Sequence, residues 1–267
     1  MASLIIAQKA AVDRKFVQSR SVTTKSEGAR DERAIVIHTM EAPEKGDTAE
    51  SVANYFKNGA GGRTASVHFC VDSNSVVQTA QMKDLCAGAK GMNTHGIHIE
   101  HAGYAKQNVS DWGDEYSEQM LLNSAYLAAT VICPKYGIPA RRLTDTEIRR
   151  VKTDRDVRGF CGHGDVSRAL AIPGGHTDPG GSFPWKTYLR WVQEIMDGKA
   201  ISEAGDDVPK PSGIARLTID GVVKPVEVRL LEGRAFVRVS ELGAVMGFKV
   251  VYNSAEKLVE LTIPKTV

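Results

Sequence analysis

The stretch AIVIH at residues 34–38 decides how this chain folds. Three β-branched residues run without a polar break and a histidine closes them, which is the mark of a strand buried at the centre of a sheet. Working outward, residues 48–57 predict a helix, with Thr48 placed to cap it and Val52, Tyr55 and Phe56 at helical spacing. Ser66–Val71 and Val76–Ala80 predict a strand pair joined across Asp72, Ser73 and Asn74, and Ile97–His101 predicts a further strand. Residues 115–133 carry Met120, Leu121, Ala125, Leu127, Ala128 and Val131, the pattern of a long helix on a sheet that Pro134 should end or kink. A last amphipathic helix is expected over 184–197, opened by Pro184 and closed before Gly198. The expected fold is α/β (mixed α+β): a central mixed β-sheet flanked by helices. Periodicity alone leaves α/β and α+β both open.

A chain of 267 residues suggests one large domain and a small one. Residues 202–213, SEAGDDVPKPSG, lack apolar periodicity and read as a linker. The expected division is a domain over 1–201 with its core in 31–197, then a second domain over 214–267. In the latter, Arg216–Ile219, Asp220-Gly221 and Val222–Val228 form a hairpin signal. A strand at 235–239, a short helix capped by Ser240 and stopped at Gly247, and strands near 248–252 and 258–263 complete a small ββαββ domain. With 42% hydrophobic and 25% charged residues the composition is that of a soluble globular protein. A net charge of +2 gives no case for nucleic acid, although a mildly basic protein suits an anionic wall. Cys70, Cys86, Cys133 and Cys161 show no CxxC spacing and are expected to be reduced thiols. The opening MASLIIAQKA has one short apolar run and no basic segment before it. No signal peptide and no membrane insertion are expected, which implies synthesis in the cytoplasm.

All seven histidines lie between residues 38 and 176. His38 ends the buried strand, His163 sits in GHGDVS, and His176 and Asp178 share GGHTDPGG. Any one of these histidines is readable as a structural residue, and Asp178 as a turn former or cap. Two histidines and a carboxylate with an open fourth position are also a recurrent catalytic zinc set. Alternation in Ile97–His101 puts His98 and Glu100 on one face and Ile97 and Ile99 on the core face. Glu100 then reads either as an exposed strand residue or as a group in a cleft.

Four motifs in order, IVIHTMEAP at 35–43, ASVHFCVD at 65–72, IHIEHAGY at 97–104 and GHGDVS…HTDPG within 162–180, resemble the amidase type 2 family of N-acetylmuramoyl-L-alanine amidases. That family includes phage lysozyme-type amidases, muropeptide amidases and peptidoglycan recognition proteins, and the likeness spans about residues 31–197. It implies Zn2+ held by His38, His163 and Asp178, and Glu100 as the catalytic glutamate. His176 stands where muropeptide amidases keep a lysine. There it is either a loop histidine or a donor to the oxyanion and the leaving amine. The implied reaction is hydrolysis of the amide between N-acetylmuramic acid and L-alanine, with bacterial peptidoglycan as partner.

Some positions depart from the family. Val67 replaces a catalytic tyrosine of the phage lysozyme-type members, and Cys86 replaces a frequent histidine. His98 replaces a frequent glycine beside Glu100, where it is expected to crowd or retune the site. His68, His95 and His101 are expected to stay out of the chemistry. Residues 214–267 are similar to the small domain first described at the N-terminus of copper amine oxidases, through IDG, RAFVRVSELGAVMGFKVVY and LVELTI. No copper is implied, because the segment has no His or Cys. It reads equally as a structural appendage or dimer contact and as a cell-wall anchor. Three functions follow: a lytic amidase of the phage endolysin kind, a cytosolic muropeptide-recycling amidase, or a non-catalytic peptidoglycan-binding protein. Asp178 speaks against the third and the appended domain against the second.

Overall fold

A computed structural model describes residues 2–201 and, beyond them, the backbone of five strands between 213 and 262. By backbone contacts the chain divides into two compact units, Met1–Val208 and Pro209–Val267. The first unit opens with α1 (Ala2–Val12) and the short strands β1 (Lys15–Phe16) and β2 (Val22–Thr23), then β3 (Ala34–Thr39) and α2 (Thr48–Lys57). Next come β4 (Phe69–Val71), β5 (Val76–Gln78), β6 (Leu85–Cys86) and β7 (Gly96–His101). α3 (Glu115–Leu127), α4 (Cys133–Tyr136), α5 (Asp145–Arg150), β8 (Gly159–Gly162), α6 (His163–Ala169) and α7 (Trp185–Met196) follow.

Six strands form one sheet in the order β1-β5-β4-β7-β3-β8. β3 runs parallel to β7 and β8, and β4 parallel to β7, while β4 and β5 form an antiparallel pair, so the sheet is mixed as expected. β3 is buried at every residue. Its alternation splits the core: Ile35 and Ile37, with Ile97 and Ile99 of β7, pack against Ala7 and Ala11 of α1, Met120 and Leu121 of α3, and Tyr188 and Val192 of α7. Each such fully buried aliphatic side chain stabilises the fold by about 1.5–3 kcal/mol. Ala34 and Val36 face the other way, toward Met92, Leu143, Cys161 and Val166. Farther along the same strands, that second face carries the polar side chains.

Several elements differ from the sequence reading. α2 starts at Thr48, but the Thr48 hydroxyl donates to the Pro43 carbonyl (2.7 Å) and does not cap the helix. A carboxylate from a distant turn takes over: the Ala49 amide donates to Asp72 Oδ2 (3.0 Å), while Asp72 Oδ1 accepts from the Asn74 and Ser75 amides. Pro134 neither ends nor breaks its helix. Because proline has no amide hydrogen, the chain passes through a π-helical turn at Ala128–Ile132 and continues as α4 to Tyr136. Gly137, at φ 61°, closes it. The N-terminal run is part of a helix whose Ala7, Ala10 and Ala11 enter the main core. All four cysteines are free and buried. Among the described residues no helix is long and apolar enough to cross a membrane.

In the second unit, β9 (Gly213–Ile219), β10 (Val222–Leu231) and β11 (Arg234–Val237) form a three-stranded antiparallel sheet, which takes in the expected hairpin and the strand expected from residue 235. β12 (Lys249–Asn253) and β13 (Leu258–Thr262) form an antiparallel pair. The helix expected over 240–247 and the linker up to residue 212 lie outside the described residues.

Candidate metal centre

The carboxyl ends of three adjacent parallel strands deliver the site, as is general where ligands bind parallel sheets. His38 is the fifth residue of β3 and pairs in register with Glu100 of β7. His163 directly follows β8 and opens α6. Asp178 comes from a glycine-rich loop that two close contacts pin. The Gly164 amide donates to the Asp178 carbonyl (2.6 Å), and a Cβ on Gly164 would stand 2.9 Å from the Thr177 backbone. Gly180 has φ +90°, and a Cβ there would meet the Ala105 carbonyl oxygen at 1.9 Å, so only glycine fits. The Asp178–Pro179 peptide is cis.

His38, His163 and Asp178 are all buried, and their ligand atoms lie within 4.8 Å of one another. His38 Nδ1 is 3.1 Å from Asp178 Oδ2, and His163 Nδ1 is 3.4 Å from Asp178 Oδ1. Donors at about 2.0–2.2 Å from a tetrahedral ion would be about 3.3–3.6 Å apart, so this set can hold a divalent metal. Its protonation agrees. Burial lowers the His38 pKa and favours neutral imidazole. Burial pushes Asp178 upward, but hydrogen bonds from His163 and His38 outweigh it and hold the carboxyl well below the usual carboxylate range. Neutral imidazole and ionised carboxylate are the forms a metal requires.

Glu100 is the further test of fit. Burial, followed by the charge of Asp178, raises its pKa well above the ordinary value, and Glu100 Oε2 is buried without a hydrogen-bond partner among the described residues. Such an atom is costly unless something in the cleft uses it. Glu100, His163 and His176 line a cleft of about 450 Å³ together with Glu41, Tyr55 and Arg63. His176 lies at the exposed rim, with 63% of its side chain accessible. Its ring stacks on His163 at 3.9 Å, its Nδ1 is 3.5 Å from Asp178 Oδ1, and its amide donates to Ser167 Oγ (3.0 Å). A second cavity of about 420 Å³, lined by Arg142, Arg168 and Trp185, adjoins the first across His176 and Asp178.

The remaining histidines have identifiable tasks. His101 points to the opposite face, where its Nδ1 lies 3.2 Å from the His38 carbonyl and its Nε2 2.7 Å from Ser124 Oγ. His95 Nδ1 donates to the Asp31 carbonyl (2.8 Å). His68 is buried beneath the cleft floor, its Nδ1 accepting the His98 amide (3.0 Å). Burial pushes the Cys86 thiol up to about 12, so it behaves as a small buried residue and not as a reactive group. Sequence reasoning did not single out Glu41, Tyr55 or Arg63. Glu41 comes from the loop that leaves β3, Tyr55 from α2 and Arg63 from the turn after it, and only the packing of these segments brings them to one cleft.

The profile of the N-acetylmuramoyl-L-alanine amidase family matches residues 28–181. No curated protein sequence matches the chain. Among solved structures, the hydrolase AmiA of Staphylococcus aureus, determined with its ligand, is similar at 20% identity over 73% of this chain and 93% of its own, with a TM-score of 0.46. The N-acetylmuramoyl-L-alanine amidase LysC of Clostridium intestinale is similar at 15% identity over 70% and 99%, with a TM-score of 0.42. A mutant endolysin from Bacillus subtilis is similar at 16% identity over 67% and 99%, with a TM-score of 0.40.

Proposed function

The chain belongs to the N-acetylmuramoyl-L-alanine amidase family, and on that premise we propose that it is a zinc-dependent peptidoglycan hydrolase of the endolysin kind that cuts the amide between N-acetylmuramic acid and L-alanine. The observation that carries the reading is the buried His38–His163–Asp178 set beside Glu100, whose Oε2 has no partner among the described residues. His38, His163 and Asp178 would hold the zinc. When bound, zinc supplies a Lewis acid that polarises the amide carbonyl and makes water nucleophilic at neutral pH.

The chain's own groups move the protons. Glu100 takes the proton of the attacking water and returns it to the alanine nitrogen, so that the C–N bond breaks with a neutral amine leaving. A carboxyl whose affinity for protons is raised suits such a shuttle. His176, at the exposed rim, donates to the oxygen that becomes negative as the carbonyl turns tetrahedral. Val67 is buried and offers no phenol, so no tyrosine acts at that position.

The second unit is proposed to be the small domain that resembles the copper amine oxidase N-terminal domain, and to attach the enzyme to the cell wall. Its β9–β10 hairpin supports this reading.

Digestion of purified peptidoglycan tests the chemistry. New L-alanine amino termini without new reducing ends are expected. Reducing ends without free alanine would instead identify a glycosidase and overturn the proposal.

A further inference from the structure

His38 Nδ1 faces Asp178 Oδ2 at 3.1 Å, while its other nitrogen, Nε2, lies 3.0 Å from His98 Nδ1. An imidazole that offers Nδ1 to a metal carries its proton on Nε2. That proton needs an acceptor, and His98 Nδ1 is where it points. We propose that His98 is a positioning residue for the metal ligand His38: it accepts the Nε2–H bond, and so fixes both the tautomer and the ring orientation that present Nδ1 to the ion. The inference rests on the reading of His38 as a zinc ligand.

The surroundings of His98 are built for this contact. The ring is fully buried and sits in register beside Val36, two residues before Glu100. His68 stacks on it, with 5.7 Å between centroids and 11° between planes. The His98 amide donates to His68 Nδ1, which leaves the His68 proton on Nε2, 3.1 Å from the Asp84 carbonyl that accepts it. On the other sides are two glycines. A Cβ on Gly88 would stand 2.6 Å from the His98 ring and one on Gly96 would stand 3.1 Å from Nε2. Neither glycine has a left-handed φ; space for the His98 ring is what demands Gly88, whereas at Gly96 the Met92 carbonyl oxygen (2.9 Å) and Val36 (3.0 Å) crowd the position as well.

His98 Nε2 has no protein hydrogen-bond partner among the described residues. A buried N–H left unpaired is costly, and a leucine in the same seat would not incur that cost. What a leucine could not do is accept from His38. Ligating histidines are ordinarily steadied through their second nitrogen by a carboxylate, a carbonyl or water. Here another histidine takes that part, which explains why an imidazole occupies a position so close to the catalytic carboxylate.

The full-length protein, stripped of metal, is titrated with zinc against a chromophoric chelator, alongside His98→Leu and His98→Asn. Asparagine places Oδ1 where the imidazole has Nδ1, so it keeps an acceptor for His38. His98→Leu is expected to lose about 10- to 100-fold in zinc affinity while the metal-free protein melts near the wild-type temperature. His98→Asn is expected to keep most of the affinity. Folded His98→Leu protein with wild-type affinity would overturn the proposal, as would equal losses in both variants. Nitrogen-15 spectra of zinc-loaded wild-type protein provide a measurement that needs no variant. They should show His98 bare at Nδ1 and protonated at Nε2, and a proton on Nδ1 would overturn the proposal. A wild-type chain that takes up no zinc would overturn the metal reading itself, and this inference with it.

Discussion

Glu100 and His38 are paired across β3 and β7, and burial drives both toward their neutral forms, the acid upward and the base downward. Asp178 alone is held ionised by its neighbours. The site therefore separates one carboxylate held negative from one carboxyl that holds protons readily, and the two should respond differently to substitution. Glu100→Gln preserves shape and removes the shuttle. Zinc content should stay at wild-type level while turnover falls by about 10²-fold or more, as measured by metal analysis and muropeptide release. His176→Ala should likewise keep its zinc and lose turnover, and His176→Lys should recover part of it, since a cation at the rim still serves the oxyanion. If His176→Ala strips the metal, the ring is a ligand and the set of three is wrong. His38, His163 and Asp178 were singled out through two of the four family motifs, and Glu100 through its place in IHIEHAGY, since alternation alone left it readable as an exposed strand residue. The bond from His38 to His98 was not legible. It joins residues 60 apart that only strand register brings together.

Among the elements, the loop before α2 and the start of α3 are joined through one half-buried acid. Glu44 Oε1 accepts from Ser117 Oγ (2.6 Å) and Gln107 Nε2 (2.9 Å). Burial, then the nearby Asp114 carboxylate, pushes Glu44 up to about 7 from an ordinary 4.5. Between those values the folded protein holds a proton that the unfolded chain releases, so stability from this group is full below about pH 4.5 and lost as pH rises through about 7. Glu44→Gln keeps an acceptor for both hydrogen bonds and cannot ionise. Its melting temperature should match wild type near the acid end of that window and exceed it at pH 8; a constant difference across the range would contradict the assignment. The elements also show where sequence reading stops. β3, β7 and α7 were legible from apolar runs and helical spacing. β8, written GFCG, was not, because two glycines in four residues read as loop. It becomes a strand because β3 offers an edge at Ala34–Ile37 and its Phe160 and Cys161 bury on opposite faces. The cap of α2 was misassigned for a related reason: Asp72 reaches it from 23 residues away.

At the scale of the molecule, every group assigned to chemistry lies before residue 179, and the buried core identified in the first unit is complete by Val192. The backbone divides into two compact units after Val208, so a chain ending there should keep its melting transition, its zinc and its activity on soluble muropeptides. Intact walls are a different substrate, because a soluble enzyme must return to an insoluble polymer after each cut. A wall-binding unit holds it at high local concentration, and such tethering contributes about 10²-fold in favourable geometry. The truncated chain should therefore fall behind the full chain in clearing wall suspensions, with the deficit shrinking as enzyme concentration is raised, because mass action replaces the tether. Residues 209–267 expressed alone should co-sediment with purified walls. Undiminished clearing by the truncated chain, with no co-sedimentation, would leave the second unit as a structural appendage. Loss of activity on soluble fragments would mean instead that the first unit needs the second for its fold.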